Sequence, residues 1–484
     1  MAGIAGTTSK NRRAVEAILS QLKHRGPVQT WINEGNVATL GCCLLKSETG
    51  AEARVHARTR EDSVVLDGHL FEGEALLTDA AEALLRGYQE SGLELPGKLD
   101  GDFTFAIATA SDLILVRDHI GSHPLYYGYP DGEFYFSSEA KGLLDIVTEL
   151  REFTPGHVFT LKAGFQPYPK ASVPVPSFET SEQAAKILRE LLERAVKRCM
   201  SDGAVDATLL SGGLDSSVIT LLATKHRPGI NTFVVGMSDQ GDVPRAREMA
   251  GLIGSNHHQK LLTVDALARA LPEAIYYLES FEDSCVRGAV AHYLAAEFAA
   301  GNGATCMLCG EGSDEFLGGY HELKQASSKA EVDEVTDYLI SNAYRTGLQR
   351  LDRAFNAHSI EYRPPFLDRY VTNFCTSIPY EWKQFGPDKI EKWILRQAFA
   401  EDLPKSIASR VKTPFASGAG MDKITKEIAE QRISQEELAR SPQADSGLRF
   451  HSLAELYYYR IFKEKFPEPS YSRLVTRWDP WLRP

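Results

Sequence analysis

Residues 209–219, with the sequence LLSGGLDSSVI, combine an apolar run, a glycine-bearing turn and the start of a helix. The backbone of Ser211-Gly212-Gly213 can bend sharply and direct its N–H groups at an anion, and the helix N-terminus adds partial positive charge. The hydroxyls of Ser216 and Ser217 can donate further hydrogen bonds. The segment therefore predicts a phosphate-binding loop, whereas a glycine turn with a capping serine would need no ligand.

Asp215 lies inside this loop, where a bare phosphate would repel its carboxylate. Its presence predicts a bound cation, and Mg²⁺ is the ion that carboxylate and phosphate oxygens commonly share. The segment lacks the lysine of a GxxxxGK[ST] loop, which disfavours ordinary transfer of a γ-phosphate. We therefore expect Mg²⁺ at this loop and a different use of the nucleotide.

The first 165 residues have the pattern of a β-rich domain. Asp-Gly pairs, which are hairpin signals, separate short apolar runs; the runs are 63–66, 103–107 and 113–116, and the pairs are 67–68, 100–101 and 131–132. Two stretches, 11–23 and 79–91, have helical spacing instead. The pattern predicts stacked antiparallel sheets with a few helices in a domain of residues 1–165.

A proline-rich segment follows and predicts a linker over residues 166–179. Helical spacing then runs from about Ser181 to Cys199, with Thr180 or Ser181 as the expected N-cap. Beyond it, helical patterns alternate with apolar runs at 207–210, 232–235 and 305–308. This alternation favours a parallel, doubly wound sheet in a second domain of residues 180–484, whose C-terminal part is mostly helical.

Bulk properties narrow the class of protein. The 484 residues are more than a single domain with one hydrophobic core usually contains. The formal net charge of -12 disfavours a general nucleic-acid or membrane-surface binder. Seven cysteines with irregular spacing, including an isolated pair at Cys306 and Cys309, predict buried thiols and not a zinc site. Without a secretory leader or a membrane-spanning run, the expected location is the cytoplasm.

Longer strings connect the chain to a known family. SGGLDSS resembles the pyrophosphate-binding loop of the N-type ATP pyrophosphatases, and the chain over nearly its full length resembles the glutamine-hydrolysing asparagine synthetases (asparagine synthetase B-like). The other strings are GEGSDE (310–315), GGY (318–320), RPPFLD (363–368), DKIEK (388–392) and LP (403–404). The resemblance implies an α/β protein with an N-terminal Ntn-type αββα sandwich. The C-terminal parallel-sheet domain would be of the ATP pyrophosphatase (adenine nucleotide α-hydrolase-like) type.

The resemblance also implies roles for individual residues. Asp215 and Asp314 would share Mg²⁺ on the pyrophosphate, the backbone of Val235 would accept the adenine, and Lys412 would contact the reacting phosphate. The expected ATP and pyrophosphate site consists of Leu210, Ser211, Gly212, Gly213, Asp215, Ser216, Ser217, Val235 and Gly310. Lys389 and Lys392, as helical neighbours, could add positive charge or could form a solvated helix face.

Glu311 is the candidate for the second half-reaction, in which it would position an attacking ammonia or accept its proton. A structural salt bridge is the alternative role. The related β-lactam synthetases, which close a ring within one substrate, carry Tyr at this position and a downstream Glu that aligns near Leu351. Both differences favour an external nitrogen nucleophile over ring closure.

The glutaminase half departs from the resembled family. Those enzymes use a Cys directly after the initiator Met, and this chain has Ala2, whether by nature or by engineering. Their pocket arginine aligns near Leu44, and their NGE string reads Asp67-Gly68-His69, although Asp79 matches an acidic pocket residue. We expect a retained scaffold with an inactive glutaminase, since no base can be identified for Cys42 or Cys43 as a substitute nucleophile.

The carboxylate substrate is less well defined. A TTIR string near the amino-acid substrate of the family reads here as Ser284-Cys285-Val286-Arg287, so Arg287 and Ser284 are the expected substrate ligands. The following residues, 288–292, also depart from the family pattern. Aspartate is one candidate and a modified or larger acid is the other.

These observations predict an ATP- and Mg²⁺-dependent carbon–nitrogen ligase that adenylylates a carboxylic acid and transfers ammonia or an amine to it. Its catalytic residues would be Glu311, Lys412 and Asp314, and its metal ligands Asp215 and Asp314. An external ammonia source and a homodimer are compatible with the sequence, whereas nucleic-acid and membrane partners are not expected. The alternatives are a lactam or peptide cyclase, as in the lasso-peptide cyclases, and a degenerate binding protein.

Overall fold

The computed structural model describes residues 2–45, 54–171, 173–320, 323–324, 328–384 and 390–478, which divide into two compact units. The first unit comprises Met1–Ser172, Asn356–Glu361 and Lys463–Val475. The second comprises Val173–Phe355, Tyr362–Phe462 and Thr476–Pro484. The boundary at residues 172–173 lies inside the proline-rich segment.

The first unit contains two antiparallel sheets. In chain order its strands are β1 Ala2–Thr7, β2 Gln29–Glu34, β3 Thr39–Leu44, β4 His56–Arg58, β5 Ser63–Glu72, β6 Ala75–Leu76, β7 Gly101–Ala108, β8 Leu113–Arg117, β9 Tyr126–Gly128, β10 Tyr135–Ser137, β11 Arg151–Glu152, β12 His157–Thr160 and β13 Gly164–Pro167. One sheet has the order β11-β9-β10-β1-β3-β2, and the other has the order β13-β12-β8-β7-β5-β4 with β6 on β5.

Helices cover the outer faces of both sheets. Asn11 caps the helix Arg12–Gln21, whose buried face (Val15, Ile18 and Leu19) packs on β1 and β3. The helix Ala80–Ser91 packs on β5 in the same way. A core that joins Ile4 and Leu40 of one sheet with Val65 and Leu115 of the other fills the space between them. The predicted αββα sandwich is therefore confirmed.

One predicted turn is wrong. Asp67-Gly68 lies inside the long strand β5 and not between two strands, because the chain continues its pairing with β7 through both residues. Gly68 has φ +132°, and a Cβ atom there would approach the carbonyl oxygen of Asp102. The glycine thus serves a close approach of two strands and does not end a strand.

The second unit contains a parallel sheet with the strand order β16-β15-β14-β17-β18. Its strands are β14 Ala207–Leu209, β15 Asn231–Gly236, β16 Asn256–Leu261, β17 Cys306–Leu308 and β18 Glu361–Arg363. The pairs β14–β15, β15–β16 and β14–β17 are parallel, as the alternating pattern predicted. The sequence pattern missed β16 and β18, whose polar residues do not form an apolar run.

Helices make up most of the rest of the second unit. The first, Ser181–Cys199, begins at the predicted Thr180, which forms a capping box with Gln183. Those that follow are Leu214–Thr224, Asp242–Ile253, Val264–Leu278, Asp283–Gly301, Ser313–Leu317, Lys329–Asn342, Gly347–Asn356, Arg369–Ser377, Tyr380–Lys383, Trp393–Ala398, Lys405–Ala408, Phe415–Gly418, Met421–Glu430, Gln435–Arg440 and Leu453–Lys465. The first unit also has the short helices Leu95–Lys98 and Pro469–Ser472.

Two further properties agree with the bulk composition. All seven cysteines are buried free thiols, including Cys306 and Cys309, so the isolated pair is part of a core. No helix in the described ranges has the length and apolar character that a bilayer crossing requires.

Candidate active site

A cavity of about 320 Å³ lies at the C-terminal ends of β14 and β17 in the second unit. Loops that follow these parallel strands meet there, as expected for a ligand site in an open α/β sheet. Three segments contribute to its lining: the predicted phosphate-binding loop with Ser211, Gly213, Asp215 and Ser216, the segment Gly310, Glu311, Gly312, Asp314 and Glu315, and the segment Arg410, Val411, Lys412, Thr413, Pro414, Phe415 and Ala416.

The phosphate-binding loop has the predicted strand–turn–helix form. Gly212 has φ +69°, and a Cβ atom there would collide with the backbone of Ala246 and the side chain of Arg245. The hydroxyls of Ser211 and Ser216 lie 3.0 Å apart, and Ser216 Oγ also donates to the carbonyl of Gly213 at 3.2 Å. The loop is thus preformed at the N-terminus of the helix Leu214–Thr224.

Two carboxylates and two ammonium groups alternate beside this loop. Lys392 Nζ lies 2.5 Å from Asp215 Oδ2 and 2.6 Å from Asp314 Oδ1. Lys412 Nζ lies 2.5 Å from Asp314 Oδ2 and 3.9 Å from Asp215 Oδ2. The predicted pair Asp215 and Asp314 therefore converges, and two lysines neutralise it.

The charges in this cluster stabilise one another. Burial alone would raise the pKa of Asp314, but Lys392 and Lys412 hold it well below its ordinary value. Burial alone would lower the pKa of Lys412, but Asp314 and Asp215 raise it above its ordinary value. Asp314 and Lys412 therefore stay ionised near neutral pH and present fixed charges to a ligand.

The position of Lys392 excludes a solvated helix face and supports the predicted cation site. It does not lie on a solvated helix face, because it precedes the helix Trp393–Ala398 with φ 55° and its side chain is only 2% exposed. Lys389, its predicted neighbour, lies outside the described residues. Since the ammonium of Lys392 lies between Asp215 and Asp314, this point attracts cations, and the oxygen donor set fits a divalent ion such as Mg²⁺.

Some predicted nucleotide ligands lie behind the cavity wall. Gly310 lines the cavity, and a Cβ atom there would contact Asp215 at 3.0 Å. Leu210, Ser217 and Val235 are fully buried and, in the described part of the chain, do not line it. Their side chains support the loop and the sheet, so any contact with the nucleotide would come from their backbone.

In the same cavity, Glu311 pairs with His292, a histidine that was not among the predicted ligands. Nε2 of His292 lies 2.8 Å from Glu311 Oε1, and Nδ1 lies 2.9 Å from the carbonyl oxygen of Gly288. A carbonyl only accepts, so Nδ1 carries a proton, and Nε2 must also carry one to bind a carboxylate. The pair is thus an imidazolium and a carboxylate, or the equivalent with one shared proton.

This pairing sets the charge of Glu311. Burial raises its pKa, but the hydrogen bond and the charge of His292 outweigh burial and leave the pKa below its ordinary value. Phe415 packs edge-on against the imidazole, with ring centroids 4.9 Å apart, and restricts its rotation. Glu311 is therefore an ionised group in a fixed position.

Both predicted substrate ligands, Ser284 and Arg287, line the cavity. The guanidinium of Arg287, however, already has partners. It lies 2.8 Å from Asp422 and 3.2 Å from Asp283, and it donates to Ser284 Oγ at 3.4 Å. Two carboxylates offset its single charge. A substrate carboxylate would have to displace one of them.

Arg350, another arginine that lines the cavity, was not among the predicted site residues. Its guanidinium carbon lies 5.2 Å from the ring centroid of Trp478, and a Cβ atom at Gly288 would meet its Nη1 at 2.7 Å. Its Nε is buried without a hydrogen-bond partner among the described residues, and none of their carboxylates forms an ion pair with it. Helical spacing in 347–356 gave no sign that this residue reaches the site.

The predicted glutaminase residues lie in the first unit. Ala2 and Leu44 face each other as register partners in β1 and β3, and both are buried. Cys43 donates to the carbonyl oxygen of Leu22 at 3.3 Å, and burial raises the pKa of its thiol to about 12. Asp79 is half exposed and pairs with Arg86 at 2.8 Å.

Comparison with known proteins covers both units. The family profile described as asparagine synthase matches residues 187–339 and 327–481, and that of a glutamine amidotransferase domain matches residues 1–167. A glutamine-hydrolyzing asparagine synthetase 2 of Arabidopsis thaliana is 31% identical, over 99% of this chain and 88% of the relative. The glutamine-hydrolyzing asparagine synthetase B of Escherichia coli is 30% identical, over 96% of this chain and 90% of the relative.

Proposed function

The chain belongs to the asparagine synthetase family of ATP-dependent carbon–nitrogen ligases, and on that premise we propose what it does with each substrate. It transfers AMP from ATP to a carboxylic acid, aspartate or a related acid, and releases pyrophosphate. Ammonia or an amine then attacks the acyl carbon, the bond to AMP breaks, and an amide forms. The observation that carries this proposal is the cluster of Lys412, Asp314, Lys392 and Asp215 at the end of the phosphate-binding loop.

The cluster suits the first half-reaction. When a carboxylate oxygen attacks the α-phosphorus, negative charge accumulates on the phosphoryl oxygens and on the departing pyrophosphate. Lys412 and Lys392 hold two fixed positive charges beside the loop that binds these groups. Mg²⁺ held by Asp215 and Asp314 would supply further neutralisation of the triphosphate, and the two lysines would then turn toward the phosphates they neutralise.

The ion pair of Glu311 and His292 suits the second half-reaction. Ammonia gains positive charge as it attacks an acyl carbon, and an ionised carboxylate within reach stabilises that charge and orients the nitrogen. Burial alone would raise the pKa of Glu311, and His292 lowers it below its ordinary value and so favours the ionised form. Glu311 thus acts on the nucleophile, and His292 acts through Glu311.

Arg350 is the stronger candidate for the group that binds the carboxylate of the substrate. A guanidinium binds a carboxylate with two parallel hydrogen bonds, but only when it is not already engaged. Asp283 and Asp422 engage Arg287, whereas Arg350 is held by stacking on Trp478 and packing on Gly288. We assign Arg287 to the wall of the site and Arg350 to the substrate.

The nitrogen does not come from glutamine hydrolysed on this chain. Ala2 carries no nucleophilic atom, and the buried thiol of Cys43 stays protonated at neutral pH. Leu44 offers no charge to a glutamine carboxylate. Free ammonia, a separate glutaminase or an amine substrate would therefore supply the nitrogen.

The test measures pyrophosphate release from ATP and Mg²⁺ with a panel of carboxylic acids, each with ammonium or with glutamine. Release with ammonium but not glutamine, and loss of release in a Lys412→Ala variant, are expected. An equal rate in that variant would contradict the proposed site, and glutamate release that matches amide formation would contradict the proposed nitrogen source. A product that has lost only water, with no added nitrogen, would indicate ring closure instead.

A further inference from the structure

Three side chains with metal-binding atoms converge in the first unit, away from the residues that carry the proposed function. Asp102 Oδ2 lies 3.0 Å from Nδ1 of His69 and 2.7 Å from Nε2 of His123, and the three atoms lie within 4.8 Å of one another. The imidazoles are buried, while the Asp102 side chain is 19% exposed. Two imidazoles and one carboxylate form a donor set typical of divalent transition metals.

The backbone fixes this convergence. His69 in β5 and Asp102 in β7 are register partners in the antiparallel ladder, so their side chains start from directly opposite positions on one face. Gly68 and Gly101, which neighbour them, have φ +132° and +154° and allow the two strands to approach closely. His123 follows the adjacent strand β8, and Thr104 of β7 holds its carbonyl oxygen at 3.1 Å. Strand pairing therefore places two of the three side chains, and His123 completes the set from the segment after β8.

The second nitrogen of each imidazole faces another carboxylate. Nε2 of His69 lies 3.0 Å from Glu361 Oε1, and Nδ1 of His123 lies 3.7 Å from Asp67 Oδ1. The 3.0 Å contact of His69 is a hydrogen bond of the kind that orients metal-binding histidines and strengthens them as ligands, whereas the 3.7 Å contact of His123 is electrostatic only. A cation bound between Asp102, Nδ1 of His69 and Nε2 of His123 would replace the protons that these two nitrogens donate to Asp102 in this structure, while the outer nitrogens keep theirs.

The surrounding charges favour this arrangement. Arg25 pairs with Asp67 at 2.8 Å and Arg54 pairs with Glu361 at 3.0 Å, so arginines neutralise both outer carboxylates. The recorded partners of Asp102 among the described residues are the two imidazoles alone. The inner set therefore carries one negative charge, which suits a divalent ion.

We propose that His69, Asp102 and His123 bind one divalent transition-metal ion, with zinc as the probe of choice. Bond lengths of about 2.0–2.1 Å in a tetrahedron place ligand atoms about 3.3 Å apart, so the two short contacts to Asp102 need to open by less than about 1 Å. The ion would join β5, β7 and the segment after β8 in the unit that matches a glutamine amidotransferase domain. A fourth coordination position of the ion remains for water, and the partly exposed Asp102 gives solvent access to it.

The experiment uses the full chain, dialysed against a chelator and then titrated with Zn²⁺ or Co²⁺. We expect one ion per chain in competition with a chromophoric chelator, and Co²⁺ should give the visible absorption of a four- or five-coordinate site. His123→Asn and Asp102→Asn should weaken zinc binding by more than about 100-fold, and Glu361→Gln by about 10- to 100-fold as an outer-carboxylate change. His157→Gln, a half-buried histidine of the same unit, is the matched control and should bind as the unchanged chain does.

Two results would overturn the proposal, and the first of them includes a spectrum that needs no variant. If the unchanged chain binds neither ion more tightly than His123→Asn does, or shows only the six-coordinate spectrum of hydrated Co²⁺, the cluster is a proton-sharing network. If zinc binds but all three variants bind it equally well, the ion lies elsewhere, for example at Asp215 and Asp314. Because the readout is metal binding, failure here is independent of amide synthesis.

Discussion

Nε2 of His292 donates to Glu311 across 2.8 Å, and this ion pair faces the same cavity as the phosphate-binding loop. It joins the helix Asp283–Gly301 to the loop after β17, so the charge of Glu311 depends on a residue from another element. The two halves of the proposed reaction thus depend on different charged residues of one cavity.

Replacement of His292 by Gln should separate those halves. Without the imidazolium, burial raises the pKa of Glu311, so its carboxylate takes up a proton at higher pH than before. The acid limb of the pH profile for amide formation should therefore move to higher pH, while acid-dependent exchange of pyrophosphate into ATP continues. His226→Gln, on the surface, is the control; an unchanged acid limb in His292→Gln would show that Glu311 does not depend on the pair.

Replacement of Lys412 by Ala should abolish activation of the acid. The variant leaves Asp314 with one fewer partner and, in the proposed reaction, loses the charge assigned to the reacting phosphate. Such losses reduce rates by about 10²- to 10³-fold. Pyrophosphate exchange measures the step directly. Lys405→Ala, on an exposed helix position, should keep full activity, and equal rates in both variants would contradict the assignment.

Arg350 and Arg287 should respond differently to substitution. Arg350→Ala should raise KM for the acid by more than about tenfold with little change in KM for ATP, because it removes a hydrogen-bonded charge from the substrate. Gly288→Ala should also raise KM for the acid, because the added Cβ atom would clash with Arg350 and displace its side chain. Steady-state kinetics with each substrate varied tests this, and a change confined to Arg287→Ala would reverse the assignment.

The thiols should be inert in the folded chain. All seven cysteines are buried, and burial raises the pKa of Cys43 and of Cys375 to about 12, so little thiolate exists at neutral pH. A colorimetric thiol reagent should react slowly with the native chain and with all seven cysteines after denaturation. Leu252→Cys, at an exposed position, should add one fast-reacting thiol, and a fast thiol in the unchanged chain would contradict the burial of Cys42 and Cys43.

Local patterns predicted the parts of the site that are contiguous in sequence. The loop 209–219 contains its own strand, turn and helix start, so its form and the place of Asp215 followed from the residues alone. Asp314 and Lys412 required the family resemblance, because 98 residues separate the two members of this ion pair.

The residues that were missed depend on contacts that local periodicity does not encode. His292 and Arg350 lie on helices whose spacing indicates only a buried face, and their roles arise where those helices meet the loop after β17. The departure of residues 288–292 from the family pattern was the available signal for His292. For Lys392 the predicted helix was wrong, because a left-handed residue places its ammonium between two carboxylates.

The first unit is assembled from three separated stretches of chain, and the last of them, Lys463–Val475, lies close to the C-terminus. Within it Phe466 and Tyr471 are buried, and Ser470 Oγ donates to the carbonyl oxygen of Thr148 at 2.6 Å. A ribosome that has finished the sandwich strands must still translate about 300 residues before this stretch emerges. Vectorial synthesis therefore leaves the first unit without this stretch until translation reaches it.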